Sequence, residues 1–287
     1  KMILSSKNKI TYISDYFVSE VLGGGELNDH ELLLILESRG HKIQKIKSNL
    51  VNPSFLKNNR DGGFVVSNFI NLSKESRDYL TSNCHYVIYE HDHKYINSRN
   101  PALYRDYLAP VDQIINMDFY KAAKAVFCQS GFHLGIVYKN LNIDHLYNLS
   151  GNLWSNESLN IMSILSKKQK KDCYSILKSP TLHKNTRETA FYCENKGYEY
   201  SLISSSNYQE FLSLLSNNDK FIFLPKTPET LSRVIVEARM MEIKTITNRK
   251  IGAAYEPWYS LSGNELIDVM RQKRKEIPDL VIRSLNE

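Results

Sequence analysis

Leu224-Pro225-Lys226-Thr227-Pro228-Glu229-Thr230-Leu231-Ser232, running on to Val236-Glu237-Ala238, is the stretch on which the reading of this chain turns. Phe221 to Leu224 is a short apolar run of strand type that stops at a proline. A polar turn carrying Glu229 follows, and from about Leu231 the apolar spacing turns helical, with Arg233 to Met241 as the helix. In an open α/β sheet such a strand-turn-helix junction is where ligands bind, beyond the carboxyl end of the strand. Eight positions separate Glu229 from Glu237, slightly over two helical turns. One carboxylate therefore belongs to the turn and the other lies deeper, with a helix start between them that aims N–H groups at an anion. The plainer alternative is a capping Glu followed by an ion-pairing Glu.

The same rhythm extends outward in both directions. Upstream in the second half, Tyr174 to Leu177, Tyr200 to Ile203 and Phe221 to Leu224 read as strands, and Thr245 to Thr247 as a last one. Helices are expected from about Asn185 to Lys196 and near Tyr208 to Leu215, and a helical tail starts at Asn264. The first half repeats the pattern, with strands at Lys9–Ile13, His41–Lys47, Phe64–Val66, His85–Tyr89 and Ala125–Cys128. Helices are expected at Glu26–Arg39, at Lys74–Thr81 and around Leu103 to Tyr120. An Asn- and Ser-rich break from about Asn148 to Asn160 reads as an interdomain linker. Strands alternating with helices imply mostly parallel sheets. The expected domains are residues 1–150, residues 151–262 and a helical tail over 263–287, an α/β protein of two lobes with doubly wound, mostly parallel sheets.

Composition narrows the class without naming a ligand. Of 287 residues, 42% are hydrophobic and 11% aromatic, enough for two cores and too much for a disordered chain. A net charge of +6 suits phosphate-bearing partners, whether a nucleotide, a nucleic acid or an anionic membrane face. Cys84, Cys128, Cys173 and Cys193 form no close pair, so reduced thiols are expected rather than disulfides or zinc. No signal pattern or membrane-length apolar run is seen, which predicts a soluble, cytoplasmic protein. The bias toward Asn, Lys, Ile and Tyr is that of an AT-rich genome, such as a phage or low-GC bacterium.

Three further loops carry candidate chemistry. Gly23-Gly24-Gly25 opens the first helix and lets backbone approach a diphosphate, although a ligand-free turn would look the same. It lacks the GxGxxG spacing of a dinucleotide site. Glu90-His91-Asp92-His93 ends a buried strand, where His91 can meet a hydroxyl or a developing charge; a metal site there ranks third, behind a solvated loop. Lys178 and Lys184 follow the first strand of the second half, as a clamp on a leaving diphosphate or as ordinary surface lysines.

Together these residues resemble the large family of retaining GT-B glycosyltransferases with an E-x7-E motif, which includes sucrose-phosphate synthase and many bacterial glycan enzymes. Glu229 to Glu237 is similar to that motif, and the likeness continues through Ala238, Met240, Met241 and Thr245-Ile246-Thr247. Gly23-Gly24-Gly25-Glu26 with Leu36, Gly40-His41 and Ile43 looks like the family's opening, Tyr89 to Asp92 like its His segment, and Gln129-Ser130 like the end of its first domain. The resemblance implies two Rossmann-like domains facing across a cleft, and a nucleotide-sugar donor, with a UDP-sugar the first expectation. It implies that Glu237 holds the ribose, Glu229 the transferred sugar, and His91 the donor sugar from the other domain. The amides of Leu231 and Ser232, with Lys184 and Lys178, would hold the diphosphate, and Gly24 and Gly25 would approach it. No metal is required in such a site, and retention is the implied stereochemistry. Ser232 stands where the family usually has Gly, and the family's Arg-Lys pair is poorly matched, Arg187 being the nearest Arg.

The acceptor is expected to be a hydroxyl of a glycan or lipid-linked sugar, or of a hydroxymethylated base in viral DNA. The basic runs Lys167–Lys171 and Arg271–Lys275 could then touch a membrane face, or be solvated helix faces. A rival of another class is a non-catalytic nucleic-acid-binding α/β protein, which explains the charge but not Glu229, Glu237 and His91. A dehydrogenase ranks behind both, for want of a Gly fingerprint.

Overall fold

The computed structural model describes residues 8–287. Residues 1–7, the start of the first expected domain, lie outside the described residues. The chain divides into two compact units. The first takes residues 8–129, Leu134–Leu149 and Arg274–Glu287; the second takes Ser130–His133 and Ser150–Lys273.

The first unit is built on six parallel strands: β1 (Lys9–Ser14), β2 (Lys42–Lys47), β3 (Gly63–Val66), β4 (His85–Tyr89), β5 (Val126–Cys128) and β6 (Leu146–Asn148). Their order is β2-β1-β3-β4-β5-β6, so the winding reverses between β1 and β3. Around them run α1 (Gly24–Ser38), α2 (Pro53–Asn59), α3 (Lys74–Asn83), α4 (Met117–Ala122) and α5 (Gly131–Leu141). Phe64, Val65, Val66, Val87 and Ile88 are fully buried, as expected of parallel strands covered on both faces. Helix caps are legible in the sequence: Asn52 and Ser73 accept from the backbone N–H three residues on and start α2 and α3.

The second unit has four parallel strands, β7 (Lys171–Leu177), β8 (Tyr200–Ile203), β9 (Asn218–Phe223) and β10 (Lys244–Thr247), in the order β10-β9-β7-β8. Its helices are α6 (Asn156–Ser166), α7 (Thr186–Lys196), α8 (Tyr208–Leu215) and α9 (Arg233–Met240). The core gathers Trp154, Leu212, Phe221, Phe223, Ile235, Val236 and Met240. The long α10 (Gly263–Asn286) gives its first part to this unit and its last part, from Arg274, to the first.

Three expectations are corrected. The stretch from Leu103 to Tyr120 is not one helix but separate 3₁₀ turns at Pro101–Leu103, Arg105–Tyr107 and Val111–Gln113, followed by α4. Asp106, Tyr107 and Asn116 adopt positive φ, Pro101 and Pro110 lack an N–H, and Leu103 and Val111 face solvent. The linker expected over 148–160 does contain the change of unit at Leu149/Ser150, but it is shorter than expected, because Ser155 caps α6 and Trp154 is only 1% exposed. Lastly, β6 rather than β5 is the final strand of the first unit. The four cysteines are free thiols, and no helix among the described residues is long and apolar enough to cross a membrane.

Candidate functional site

In the second unit the winding reverses between β7 and β9, and the loops leaving those two strands are stitched together. Lys226 N–H donates to His183 O at 2.9 Å, and Asn185 Nδ2 donates to Leu224 O at 2.8 Å. This junction brings Lys184 and Glu229 together, with Nζ 2.7 Å from Oε1. The Lys184 ammonium also lies 5.6 Å from the centre of the Phe223 ring. Lys178, by contrast, stays exposed after β7.

The Glu229 turn is held by backbone on its far side. Glu229 N–H donates to Lys250 O and Gly252 N–H donates back to Glu229 O, at 2.8 and 2.9 Å. Ser130 Oγ donates to Thr230 O at 2.5 Å. A Cβ on Gly252 would lie 2.1 Å from Thr230 O and 2.5 Å from Ser130 Oγ, so only glycine permits this approach. Leu231, 2% exposed, anchors the turn in the core.

Ser232 is the N-cap of α9 with φ 74° and ψ 87°, a left-handed conformation that glycine adopts without strain. Its hydroxyl is buried and has no hydrogen-bond partner among the described residues. The helix start thus presents unpaired amides beside an unengaged hydroxyl.

Glu237, one and a half turns into α9, is 3% exposed. Trp154 Nε1 donates to its Oε1 at 3.0 Å and Tyr208 O–H to the same oxygen at 2.7 Å. The Arg233 guanidinium stacks 4.2 Å from the Trp154 ring centre, donates to Leu153 O and approaches Glu237 Oε1 at 3.8 Å. Burial, and then the Glu237 charge, push the Tyr208 phenol well above its ordinary value, so it stays a donor. Glu229 and Glu237 therefore have separate surroundings, one a loop carboxylate on a lysine, the other a buried carboxylate in a polar collar.

In the first unit, His91 follows β4. Its Nε2 lies 2.7 Å from Asp29 Oδ1. Asp29, on α1 and 1% exposed, also accepts from Tyr12 O–H and Ser67 Oγ, each at 2.6 Å. Burial opposes a charge on His91, but Asp29 outweighs it and holds the imidazole above its ordinary value. Gly24 and Gly25 open the first turn of α1, and a Cβ at Gly25 would sit in ordinary contact with the His91 ring, so that turn lies next to His91. Behind the segment, Glu90 and Lys94 form a buried ion pair, and Glu90 Oε1 accepts the N–H of His91 and of Asp92 at 3.1 Å each. Tyr120 O–H also donates to Glu90.

Sequence reasoning named His91, Glu229, Glu237 and Lys184 but missed Asp29, Trp154, Tyr208, Arg233 and Gly252. Four of the five act only on residues distant in sequence. The one local signal was Arg233, four residues before Glu237 on a helix.

No protein-family model matches this chain, and no curated protein matches it in sequence. Solved structures do. A glycosyltransferase from Rickettsia africae aligns with a TM-score of 0.54 at 13% identity, over 97% of this chain and 93% of its own. Anabaena HepE, in complex with UDP and glucose, aligns with a TM-score of 0.52 at 11% identity, over 96% and 92%. Trehalose-6-phosphate synthase OtsA aligns with a TM-score of 0.58 at 9% identity, over 97% and 99%. At such identities the likeness is one of fold. The fold is GT-B: two Rossmann-like α/β units, each with a parallel sheet.

Proposed function

We propose that this protein is a glycosyltransferase that moves a sugar from a nucleotide-sugar donor, a UDP-sugar in the first instance, to a hydroxyl acceptor with retention. The observation that carries the reading is the strand-turn-helix around α9. There Glu229, an unengaged hydroxyl at the helix start and Glu237 follow one another along nine residues, on a fold whose solved neighbours include one holding UDP and glucose.

Glu237 binds the ribose through Oε2, its other oxygen being held by Trp154 and Tyr208. The amides of Leu231 and Ser232 and the ammonium groups of Lys184 and Lys178 take the diphosphate, so negative charge builds where positive ends already point. Lys184 must then exchange part of its contact with Glu229 for phosphate, which frees that carboxylate for the sugar hydroxyls. His91, whose hold on its proton Asp29 strengthens, adds an N–H donor for the donor sugar, with Gly24 and Gly25 beside it. As the bond between the anomeric carbon and the diphosphate oxygen breaks, the acceptor oxygen attacks from the same face and its proton passes to the departing diphosphate. These groups supply the charge stabilisation without calling on a metal.

The test is thermal-shift and calorimetric binding of UDP, GDP, ADP and their sugars, on the native protein and on Glu237→Gln. The glutamine still accepts from Trp154 and Tyr208, so loss of binding would report lost ribose recognition rather than unfolding. A preference for one nucleotide that falls at least tenfold in Glu237→Gln is expected. No stabilisation by any nucleotide would sink the transferase reading.

A further inference from the structure

A cavity of about 310 Å³ opens in the first unit at the amino ends of β1, β3 and β4. His91 follows the opposite, carboxyl end of β4, and the five residues of that strand span about 16 Å. The cavity therefore lies outside the site described above. Its apolar lining is Ile10 of β1 together with Ile282 and Leu285 from the last turns of α10. Leu285 packs so closely on the sheet here that a Cβ at Gly63 would lie 3.1 Å from it. One side of the cavity is thus sheet and another is the end of α10.

The polar side chains around it are uncommitted. Arg60 at the end of α2, Asp61 after it and His85 at the start of β4 are exposed. None of the three side chains makes a hydrogen bond or ion pair among the described residues, and neither does that of Asn286, the last residue of α10. His41, just before β2, is half-buried. Its Nδ1 is buried without a partner, which leaves Nε2 as the nitrogen that can meet a ligand. Convergent polar groups of this kind over an apolar lining are what a small-molecule site requires.

The donor set selects the ligand. Arg60 offers a planar fork and the two imidazoles one N–H each, from three separate elements. A phosphate monoester has three terminal oxygens for them and carries about −1.5 to −2 charges at pH 7. Asp61 only accepts, and Asn286 both donates and accepts, so both fit hydroxyls better than an anion. Ile10, Ile282 and Leu285 fit the C–H face of a compact body.

We infer that this cavity is an effector site for a small hydroxylated phosphate monoester. The phosphate lies on Arg60, His41 and His85, and the hydroxyls lie on Asp61 and Asn286. Because sheet and helix both line the cavity, its occupant ties the end of α10 to β1, β3 and β4 and steadies the first unit.

Ribose 5-phosphate serves as the probe, titrated by calorimetry into the native protein, Arg60→Gln/His85→Gln and Lys184→Gln. The first variant changes only exposed side chains without partners, so its fold is kept; the second guards against binding at the diphosphate site proposed in the other unit. Saturable binding is expected, weakened at least tenfold in Arg60→Gln/His85→Gln and unchanged in Lys184→Gln. At ten times Kd, amides in the last turns of α10 that exchange by detaching from the sheet should slow about elevenfold. No binding, equal binding to Arg60→Gln/His85→Gln, or weakening in Lys184→Gln instead would overturn the inference. Inorganic phosphate bound as tightly as the ester would mean an adventitious ion only, and would overturn it too. Unchanged exchange in α10 would remove the coupling of the site to the helix.

Discussion

His91 and His93 stand two residues apart and titrate in opposite directions. Burial opposes charge on both; Asp29 reverses the balance at His91, whereas His93, hydrogen-bonded to Tyr95, is pushed down to about 4. With its folded value raised, the stability due to the His91–Asp29 pair is fully present below the ordinary imidazole value of about 6.5 and is lost as pH rises through the folded value. Asp29→Asn should lower the His91 midpoint in an NMR titration and leave His93 unprotonated down to low pH. An unchanged His91 midpoint would mean that Asp29 does not set its charge. Behind them, Lys94→Met would leave the Glu90 carboxylate buried without its cation, a loss of about 3–5 kcal/mol in urea unfolding. A cost under about 1 kcal/mol, typical of exposed pairs, would contradict the burial seen at Glu90 and Lys94. The residues that name the chemistry were legible in the sequence because their types are rare at strand ends. Their supports were not, since nothing in the order of residues says that Asp29 will meet His91 or that Trp154 will meet Glu237.

At the scale of the element, the α9 junction carries two glycine-related features of opposite sign. Ser232 occupies a left-handed conformation, so Ser232→Gly should stabilise the second unit by about 1 kcal/mol. Gly252→Ala should do the reverse by about 2 kcal/mol or more, because its methyl would collide with Thr230 O and displace the Glu229 turn. Urea unfolding of the two variants checks both signs, and an indifferent Gly252→Ala would show that the turn has room to move. The strands read from alternating or continuous apolar runs matched because burial on a parallel sheet imposes that pattern directly. The failed helix over 103–120 shows the limit. Leu103, Leu108, Val111 and Ile115 have plausible spacing, yet all face solvent and Pro110 interrupts the hydrogen-bond ladder. Within the basic runs, several side chains also make local contacts. Lys170 caps the carbonyls that end α6, Arg271 binds Asn160 and Arg274 pairs with Glu31.

At the scale of the whole molecule, two units with separate cores share α10. Ile277 and Val281, in its last part, are 1% and 0% exposed, and Leu285 packs against Gly63. Arg39 and Asp279 pair across the same face at 2.7 Å. Removing residues 274–287 should therefore weaken the first unit by several kcal/mol, roughly 1.5–3 for each buried aliphatic side chain lost. Hydrogen exchange would show this as faster exchange of β1, β3 and β4, with β7 and β9 little changed. Equal loss of protection in both sheets would mean that the units unfold as one.

The division of α10 also sets an order of events during synthesis. A ribosome makes residues 150–273 before residues 274–287, so the second unit has all of its own segments while the first still lacks the helix that closes its core. The usual sequence, in which the N-terminal domain folds first as the chain emerges, is then inverted. The nascent first unit must wait, open beside Gly63, for residues 274–287, the last part of α10, to arrive. A truncated or stalled chain would expose that gap to proteases and chaperones, even with the second unit already closed.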